Sequence, residues 1–236
     1  MTDLSPIPAN RAEVIRDGLK AGWPICLGYL PIGLALGVLG RNAGLDPWQI
    51  GLMSVLVFAG SAQFIAIGML SVGGAPATII ATVGMVNLRH LLMSSALSVP
   101  LRGSGRAFLA LFAYGVTDES FAVNATRFRH GDWDRWRALV VNHAANLTWI
   151  GATLAGGFLG GFLGSGAGGI DYALNAMFIC LLVYQLRSRL HLLTALLAAA
   201  LAVAWARWIP GNSHVMVAAV VATSAGFVVG RWRRRG

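Results

Sequence analysis

Three polar side chains, Asn87, Arg89 and His90, stand close together in a stretch (residues 83–99) that is otherwise apolar enough to cross a bilayer. A charged side chain in the middle of a bilayer costs about 2.5–3.5 kcal/mol on insertion scales. Such residues usually face a protein interior or a water-filled cavity, where they have partners. Arg89 therefore predicts a buried acidic partner, and the group predicts a binding or ion-coupling site inside the membrane.

The acidic partner is expected in "YGVTDESFAV", which carries Asp118 and Glu119 in the middle of another apolar run. If the two stretches are antiparallel helices joined by a turn at 100–106, Arg89 and Asp118 have matching depths at about 1.5 Å per residue. We predict an ion pair between Arg89 and either Asp118 or Glu119. Pairing offsets the cost of burial only in part, which favours a functional role over a pair that merely fixes helix register.

Two acids and one arginine leave one carboxyl group without a cationic partner. A carboxyl group in apolar surroundings can take up and release a proton near neutral pH, and the imidazole of His90 can do the same. Either group could couple transport to a proton gradient. For His90, a simple hydrogen bond between helices is an equally good interpretation.

The same stretch carries a polar stripe. At about 100° per residue, Asn87, His90, Ser94 and Ser98 fall within an arc of about 80°, while Arg89 points to roughly the opposite side. A polar stripe on a membrane helix indicates a bundle interior or a water-filled cavity.

The preceding apolar run is disturbed at "VFAGSAQF", where Gly60, Ser61 and Gln63 lie near the middle of the span. An interrupted helix at this depth is tolerated only where it is buried or lines a cavity, and the ends of its halves then offer backbone groups to a ligand. The alternative is an unbroken helix whose small residues allow close packing.

Further along the chain, Asn142, His143 and Asn146 open another apolar run. They are secondary candidates, either as a vestibule or as an interfacial hydrogen-bond cluster. Two ladders of small residues predict helix-packing seams, of which at least one could hold another subunit: Gly33, Gly37, Gly40 and Gly44, and Gly156, Gly160 and Gly164.

Composition identifies the class of protein. Of the 236 residues, 56% are hydrophobic and only 11% are charged, against about 25% charged in soluble domains. We expect an all-α integral membrane protein, a polytopic helical bundle of eight or seven spans. The candidate spans are 22–40, 48–70, 77–99, 107–126, 139–163, 170–186, 190–207 and 213–230.

Both termini are expected in the cytoplasm, because most Lys and Arg residues then lie on the cytoplasmic side. The net charge of +9 is explained by this topology and not by a nucleic-acid partner. We expect a cytoplasmic segment at 1–21, a single transmembrane transporter domain at 22–230 and a basic tail at 231–236. A possible internal repeat relates the segments beginning at Asp46 and Asp171.

Enzyme signatures are missing from the sequence: it has no HExxH, GxSxG or P-loop motif and no cysteine pair with metal-ligand spacing. We therefore predict no enzyme, no cofactor and no metal. A binding or transport role is favoured.

Four ordered blocks resemble the AzlC family, the large subunits of two-component branched-chain amino acid exporters. The resemblance covers about residues 20–230, so it is more specific than any single motif. The blocks are "PIGLALGVLGRNAGLDPWQIGLMSVLVFAGSAQF" (31–64), "NLRHLLMS" (87–94), "TDESFA" (117–122) and "FICLLVYQL" (178–186).

The resemblance implies export of leucine, isoleucine and valine, and in some members methionine, across the bacterial inner membrane. It also implies a small hydrophobic partner of the AzlD type and energy from the proton motive force, with membrane lipid around the complex. The site residues that it implies for substrate binding or coupling are Gly60, Ser61, Gln63, Asn87, Arg89, His90, Asp118 and Glu119.

Two other classes of function stay open at this point. A pore without energy coupling would not need the buried charges, and a scaffold subunit would not need the polar residues at mid-span. Both hypotheses can be tested by transport measurements.

Overall fold

The computed structural model describes residues 10–131, 133–163, 189–208 and 213–233, together with positions 179, 183 and 186. The described residues form helices joined by short turns, with no strand among them. The chain divides into two compact units, residues 1–174 and 175–236. The helices are α1 (Arg11–Asn42), α2 (Pro47–Leu56), α3 (Gly60–Ser71), α4 (Pro76–Ser98), α5 (Arg106–Tyr114), α6 (Asp118–His130) and α7 (Arg135–Leu163) in the first unit, and α8 (Arg189–Trp208) and α9 (Ser213–Arg233) in the second.

The predicted spans agree with these helices in part. By length and composition, α1 and α4 could each cross a bilayer. The predicted spans 48–70 and 107–126 are not single helices, because each consists of two short helices with a break between them. The predicted span 170–186, with Asp171 of the possible repeat, lies almost wholly outside the described residues. The count of eight spans and the side of the termini stay predictions.

The first unit is built on a parallel pair of helices, α1 and α7. Gly18 lies against Val140 and Gly37 against Thr153, so residue numbers rise together along the two helices. For two spans to run parallel, the chain between them must cross the membrane an odd number of times. The three spans predicted between α1 and α7 agree with this arrangement.

Parts of both predicted glycine ladders contribute to this one interface, namely Gly33 and Gly37 of the first and Gly156 and Gly160 of the second. Gly40 instead packs against Ile50 of α2, nothing lies within 4 Å of a Cβ on Gly44, and Gly164 lies outside the described residues. A Cβ atom on Gly156 would lie 2.2 Å from the carbonyl oxygen of Leu34, and one on Gly160 would lie 2.8 Å from Cβ of Arg41. Such close contact of backbones is what small residues make possible between membrane helices, where packing replaces the hydrophobic effect. These ladder residues therefore form a seam within the chain.

The two breaks leave helix-end carbonyl groups that need hydrogen-bond donors. At the end of α2, the carbonyl oxygen of Val55 accepts from the Tyr114 hydroxyl at 2.6 Å. At the end of α5, the carbonyl oxygen of Phe112 accepts from the Asn142 amide at 3.1 Å. The hydroxyl group that bonds the carbonyl oxygen at the break between α2 and α3 thus belongs to Tyr114, the last residue before the break between α5 and α6.

A buried network of side chains fixes the first break. Gln63 donates to Ser54 Oγ at 2.9 Å and accepts from Trp149 Nε1 at 2.8 Å. Ser54 is in turn 2.8 Å from Thr153 Oγ1. All four side chains are buried. Hydrogen bonds therefore tie α2 and α3 to α7 with the polar groups of the network paired.

A second buried network holds α5 and α6 on α7. Asn124 donates to Asn142 Oδ1 at 2.9 Å and accepts from Trp133 Nε1 at 3.0 Å. Asn146 donates to the Tyr114 hydroxyl at 3.3 Å. For Asn142 and Asn146, the geometry is that of a hydrogen-bond cluster between helices.

Helix α4 packs less deeply than its neighbours. It begins with Pro76, a residue suited to the first turn of a helix. Along its length only Ile79, Thr82 and Leu97 are buried, and large side chains such as Leu92 are exposed. Much of α4 is therefore available to lipid or to other protein.

The second unit contains α8 and α9, which pack against each other. A Cβ atom on Gly226 would lie 2.6 Å from Oγ1 of Thr194. This pair thus shows the close approach at a glycine that α1 and α7 show in the first unit.

We expect Gly37→Ala to destabilise the protein by about 1–3 kcal/mol, because the new methyl group overpacks the seam. The added Cβ would lie 2.2 Å from the carbonyl oxygen of Thr153, which is backbone. Thermal unfolding in detergent measures the effect. Gly28→Ala in the same helix is the matched control, since nothing lies within 4 Å of a Cβ there. Equal unfolding temperatures for the two variants would contradict the close contact.

We expect Gln63→Leu to lower stability by about 1–3 kcal/mol, because it leaves the buried indole N–H of Trp149 without an acceptor. The same unfolding measurement applies. Ser71→Ala is the control, since that hydroxyl is exposed and donates to the carbonyl oxygen of Gly68 in its own helix. An unfolding temperature for Gln63→Leu as high as that of Ser71→Ala would argue against the network.

Candidate functional site

Arg89 of α4 lies where the two interrupted helices meet. Its Nη1 is 2.7 Å from Oδ2 of Asp118, the first residue of α6. Its Nη2 donates to Oγ of Ser61, in the first turn of α3. The predicted ion pair is confirmed, with Asp118 and not Glu119 as the partner. The guanidinium group of Arg89 therefore bridges the first turns of α3 and α6.

The starts of α3 and α6 differ in their capping. In α6, Thr117 and Ser120 form a reciprocal capping box, and Asp118 and Glu119 occupy the first turn, where the helix dipole favours negative charge. In α3, the N-cap is Ala59, which gives no side-chain cap. The partial positive charge at the start of α3 thus lies beside Arg89 without a capping side chain.

Glu119 has a different partner from its neighbour. The Tyr29 hydroxyl of α1 donates to Oε2 of Glu119 at 2.7 Å and lies 2.9 Å from Oγ1 of Thr117. The Tyr29 ring is buried and makes an edge-to-face contact with Trp149 at 5.2 Å between centroids. A second such contact, at 6.3 Å, joins it to Phe58 beside the first break. The site therefore includes a tyrosine from α1.

His90 and Asn87 are half-buried beside this group. His90 is close enough to Arg89 and to both acids to interact with them electrostatically. Within the described part of the chain, Oδ1 of Asn87 and Nε of Arg89 are buried atoms without a hydrogen-bond partner.

The C-terminal residues of the polar stripe lie along a cavity between α4 and α5. Ser94 and Ser98 belong to its lining, with apolar groups from Leu91, Leu109 and Phe112, and its volume is about 250 Å³. The Ser98 hydroxyl is already bonded to a carbonyl oxygen of its own helix. The cavity is therefore mainly apolar.

The remaining predicted site residues support the breaks. Gly60 lies against the Trp149 ring, where a Cβ atom would be 2.9 Å from Cη2. Gln63, Asn142 and Asn146 belong to the buried networks described above. The ring centroids of His143 and Tyr114 are 6.3 Å apart. The buried Nε2 of His143 has no hydrogen-bond partner among the described residues.

Some residues of the site were not predicted from sequence. Tyr29 carried a usable signal, because a tyrosine in an apolar run needs a partner for its hydroxyl. Thr117 also carried one, since a threonine followed by two acids is typical of the start of a helix. Trp149 gave no local signal, since its partner Gln63 is 86 positions away.

The arrangement is suited to exchange of ionic partners. Arg89 and Asp118 pair with their side chains 35% and 42% exposed, so that either charge is open to a competing ligand. Within the described ranges, no three His, Cys, Asp or Glu residues approach closely enough to hold a metal ion.

Comparison with known proteins relates the chain to membrane transport. The profile of the family described as "AzlC protein" matches residues 24–163, from α1 to α7. The branched-chain amino acid transport protein AzlC of Bacillus subtilis is 30% identical over 83% of this chain and 77% of its own length. The inner membrane protein YgaZ of Escherichia coli is 28% identical over 86% of each chain, and an uncharacterized membrane protein of Archaeoglobus fulgidus is 29% identical over 83% and 86%.

No solved structure matches the chain. The family profile covers more than half of the sequence, and the relatives align over most of it under the names of transport and membrane proteins, not of enzymes. The fold, with its charged pair between interrupted helices, agrees with a role in transport. The chain therefore belongs to the AzlC family of membrane proteins.

Proposed function

We propose that this chain is a secondary transporter that exports leucine, isoleucine and valine, together with methionine as the family resemblance implies for some members, across the bacterial inner membrane. It works with a small AzlD-type subunit and draws on the proton motive force. The observation that carries the proposal is the ion pair of Arg89 with Asp118 where α3 and α6 begin. The Bacillus subtilis relative, named as a branched-chain amino acid transport protein, supports the choice of cargo.

An amino acid can replace the protein's own ion pair without leaving a charge unpaired. Its carboxylate binds Arg89, assisted by the backbone N–H groups at the start of α3. Its ammonium group binds Asp118. One pair of charges becomes two pairs, which offsets the cost of removing the cargo from water.

The cargo's side chain also needs an apolar space. The cavity between α4 and α5, about 250 Å³ and lined by Leu91, Leu109 and Phe112, supports this requirement. A compact branched side chain meets only apolar walls and serine hydroxyls there.

Proton coupling follows from the same exchange. When cargo leaves, Asp118 either pairs again with Arg89 or takes up a proton. A carboxyl group without a cationic partner in apolar surroundings favours its protonated form. The return of the empty carrier is then linked to the proton gradient.

The test is uptake of radiolabelled leucine into inside-out vesicles that carry this chain and a co-expressed AzlD-type subunit. We expect uptake that a protonophore abolishes and that isoleucine and valine compete. Uptake that the protonophore leaves unchanged would favour a pore over a coupled transporter. Absence of leucine uptake under all conditions would contradict the proposed cargo.

We expect Asp118→Asn to lower the rate of leucine uptake by more than about tenfold, because leaving one member of a close charge pair unpaired costs about 2–5 kcal/mol. Arg89→Gln should act in the same direction. Arg41→Gln is the matched control, since Arg41 forms a 3.1 Å ion pair with Asp46 outside the site. Comparable loss in all three variants would show that the effect is not specific to the site.

A further inference from the structure

The two adjacent acids at the start of α6 have different surroundings. We infer that Tyr29 is a positioning residue that holds Glu119 on α1, so that Asp118 alone exchanges partners with Arg89. The inference rests on the proposed transport function and divides the roles of its two acids.

Glu119 is bound to a buried tyrosine in a partly buried hydrogen bond, whereas the partner of Asp118 is the half-exposed Arg89. Tyr29 is 8% exposed, and its hydroxyl oxygen is 2.7 Å from Oε2 of Glu119. The Asp118 side chain is 42% exposed. A competing ligand reaches Asp118 without displacing protein, but it must displace Tyr29 to free Glu119.

The hydrogen-bond chain gives Tyr29 a defined direction. A tyrosine hydroxyl has one proton, which the Glu119 carboxylate accepts. The Tyr29 hydroxyl also lies 2.9 Å from Oγ1 of Thr117, an oxygen that accepts from the backbone N–H of Ser120. Tyr29 is thus oriented toward Glu119 by the residue that caps α6.

Tyr29 also lies on the closely packed pair of helices α1 and α7. Its ring packs edge-to-face against Trp149 of α7, and one turn further along α1, Gly33 lies against Ala152, where a Cβ atom would be 2.7 Å from the alanine Cβ. Glu119 is therefore tied to the α1–α7 pair.

Arg89, by contrast, lies on α4, a helix that buries few residues against the rest of the unit. Only Ile79, Thr82 and Leu97 of α4 are buried. A movement of α4 breaks the contact between Arg89 and Asp118 and leaves that between Tyr29 and Glu119 intact. The ion pair is therefore the contact that opens during transport, and the tyrosine–carboxylate bond is the one that stays.

The test uses a hydrophobic carbodiimide, which reacts with protonated and accessible carboxyl groups in apolar surroundings. Labelling of membranes is followed by peptide mass spectrometry. We expect Glu119 to be weakly labelled in the wild type and severalfold more strongly in Tyr29→Phe. The matched control is Tyr114→Phe, which removes a 2.6 Å hydrogen bond to the carbonyl oxygen of Val55 and touches neither acid. Equal labelling of Glu119 in the two variants, or strong labelling in the wild type, would overturn the inference.

A transport measurement tests the same division of roles. The amide oxygen of Glu119→Gln still accepts from Tyr29, so we expect a smaller loss of leucine uptake in this variant than in Glu119→Leu or Asp118→Asn. Loss in Glu119→Gln equal to that in Asp118→Asn would overturn the inference. If the wild type transports no leucine, the proposed cargo fails, but the labelling experiment still decides the role of Tyr29. Size-exclusion chromatography of each variant shows whether it folds.

Discussion

A positive charge at the middle of a membrane protein must have partners within the protein, and the arrangement around Arg89 follows from that requirement. Its guanidinium group binds Asp118 in α6 and Ser61 in α3. Both partners lie in the first turn of a helix that begins after a break, so the breaks bring them to the depth of the charge. The apolar surroundings make each of these polar contacts expensive to lose.

The breaks can exist because the rest of the unit satisfies their backbone groups. The Tyr114 hydroxyl and the Asn142 amide reach the carbonyl oxygens at the ends of α2 and α5. Both donors depend in turn on α7, which supplies Asn142 and, through Asn146, a partner for Tyr114. The same helix carries Trp149 and Thr153 for the network of Gln63. Helix α7 is therefore the element on which both interruptions depend.

The sequence predicts some of these features and not others, for physical reasons. The pairing of Arg89 with an acid on the next span follows from the rise of a helix and the length of a turn. The choice of Asp118 over Glu119 does not follow, because both lie in one helical turn and Tyr29, 90 positions from Glu119, engages only the second. The break before Asp118 was predictable from the cap formed by Thr117, but the first break has no capping side chain. Contacts that cross the bundle leave no local pattern.

The parallel packing of α1 and α7 has a consequence for the surrounding bilayer. With 32 and 29 residues, the two helices are about 48 and 44 Å long, against a hydrocarbon thickness of about 30 Å. Arg137 and Asp17, 3.1 Å apart, pair near the starts of both helices, so the two charged ends lie side by side. Because the seam joins the two helices closely, a tilt that adjusts them to the membrane thickness is shared by both. Lipid chain length thereby acts on the orientation of the pair as a whole.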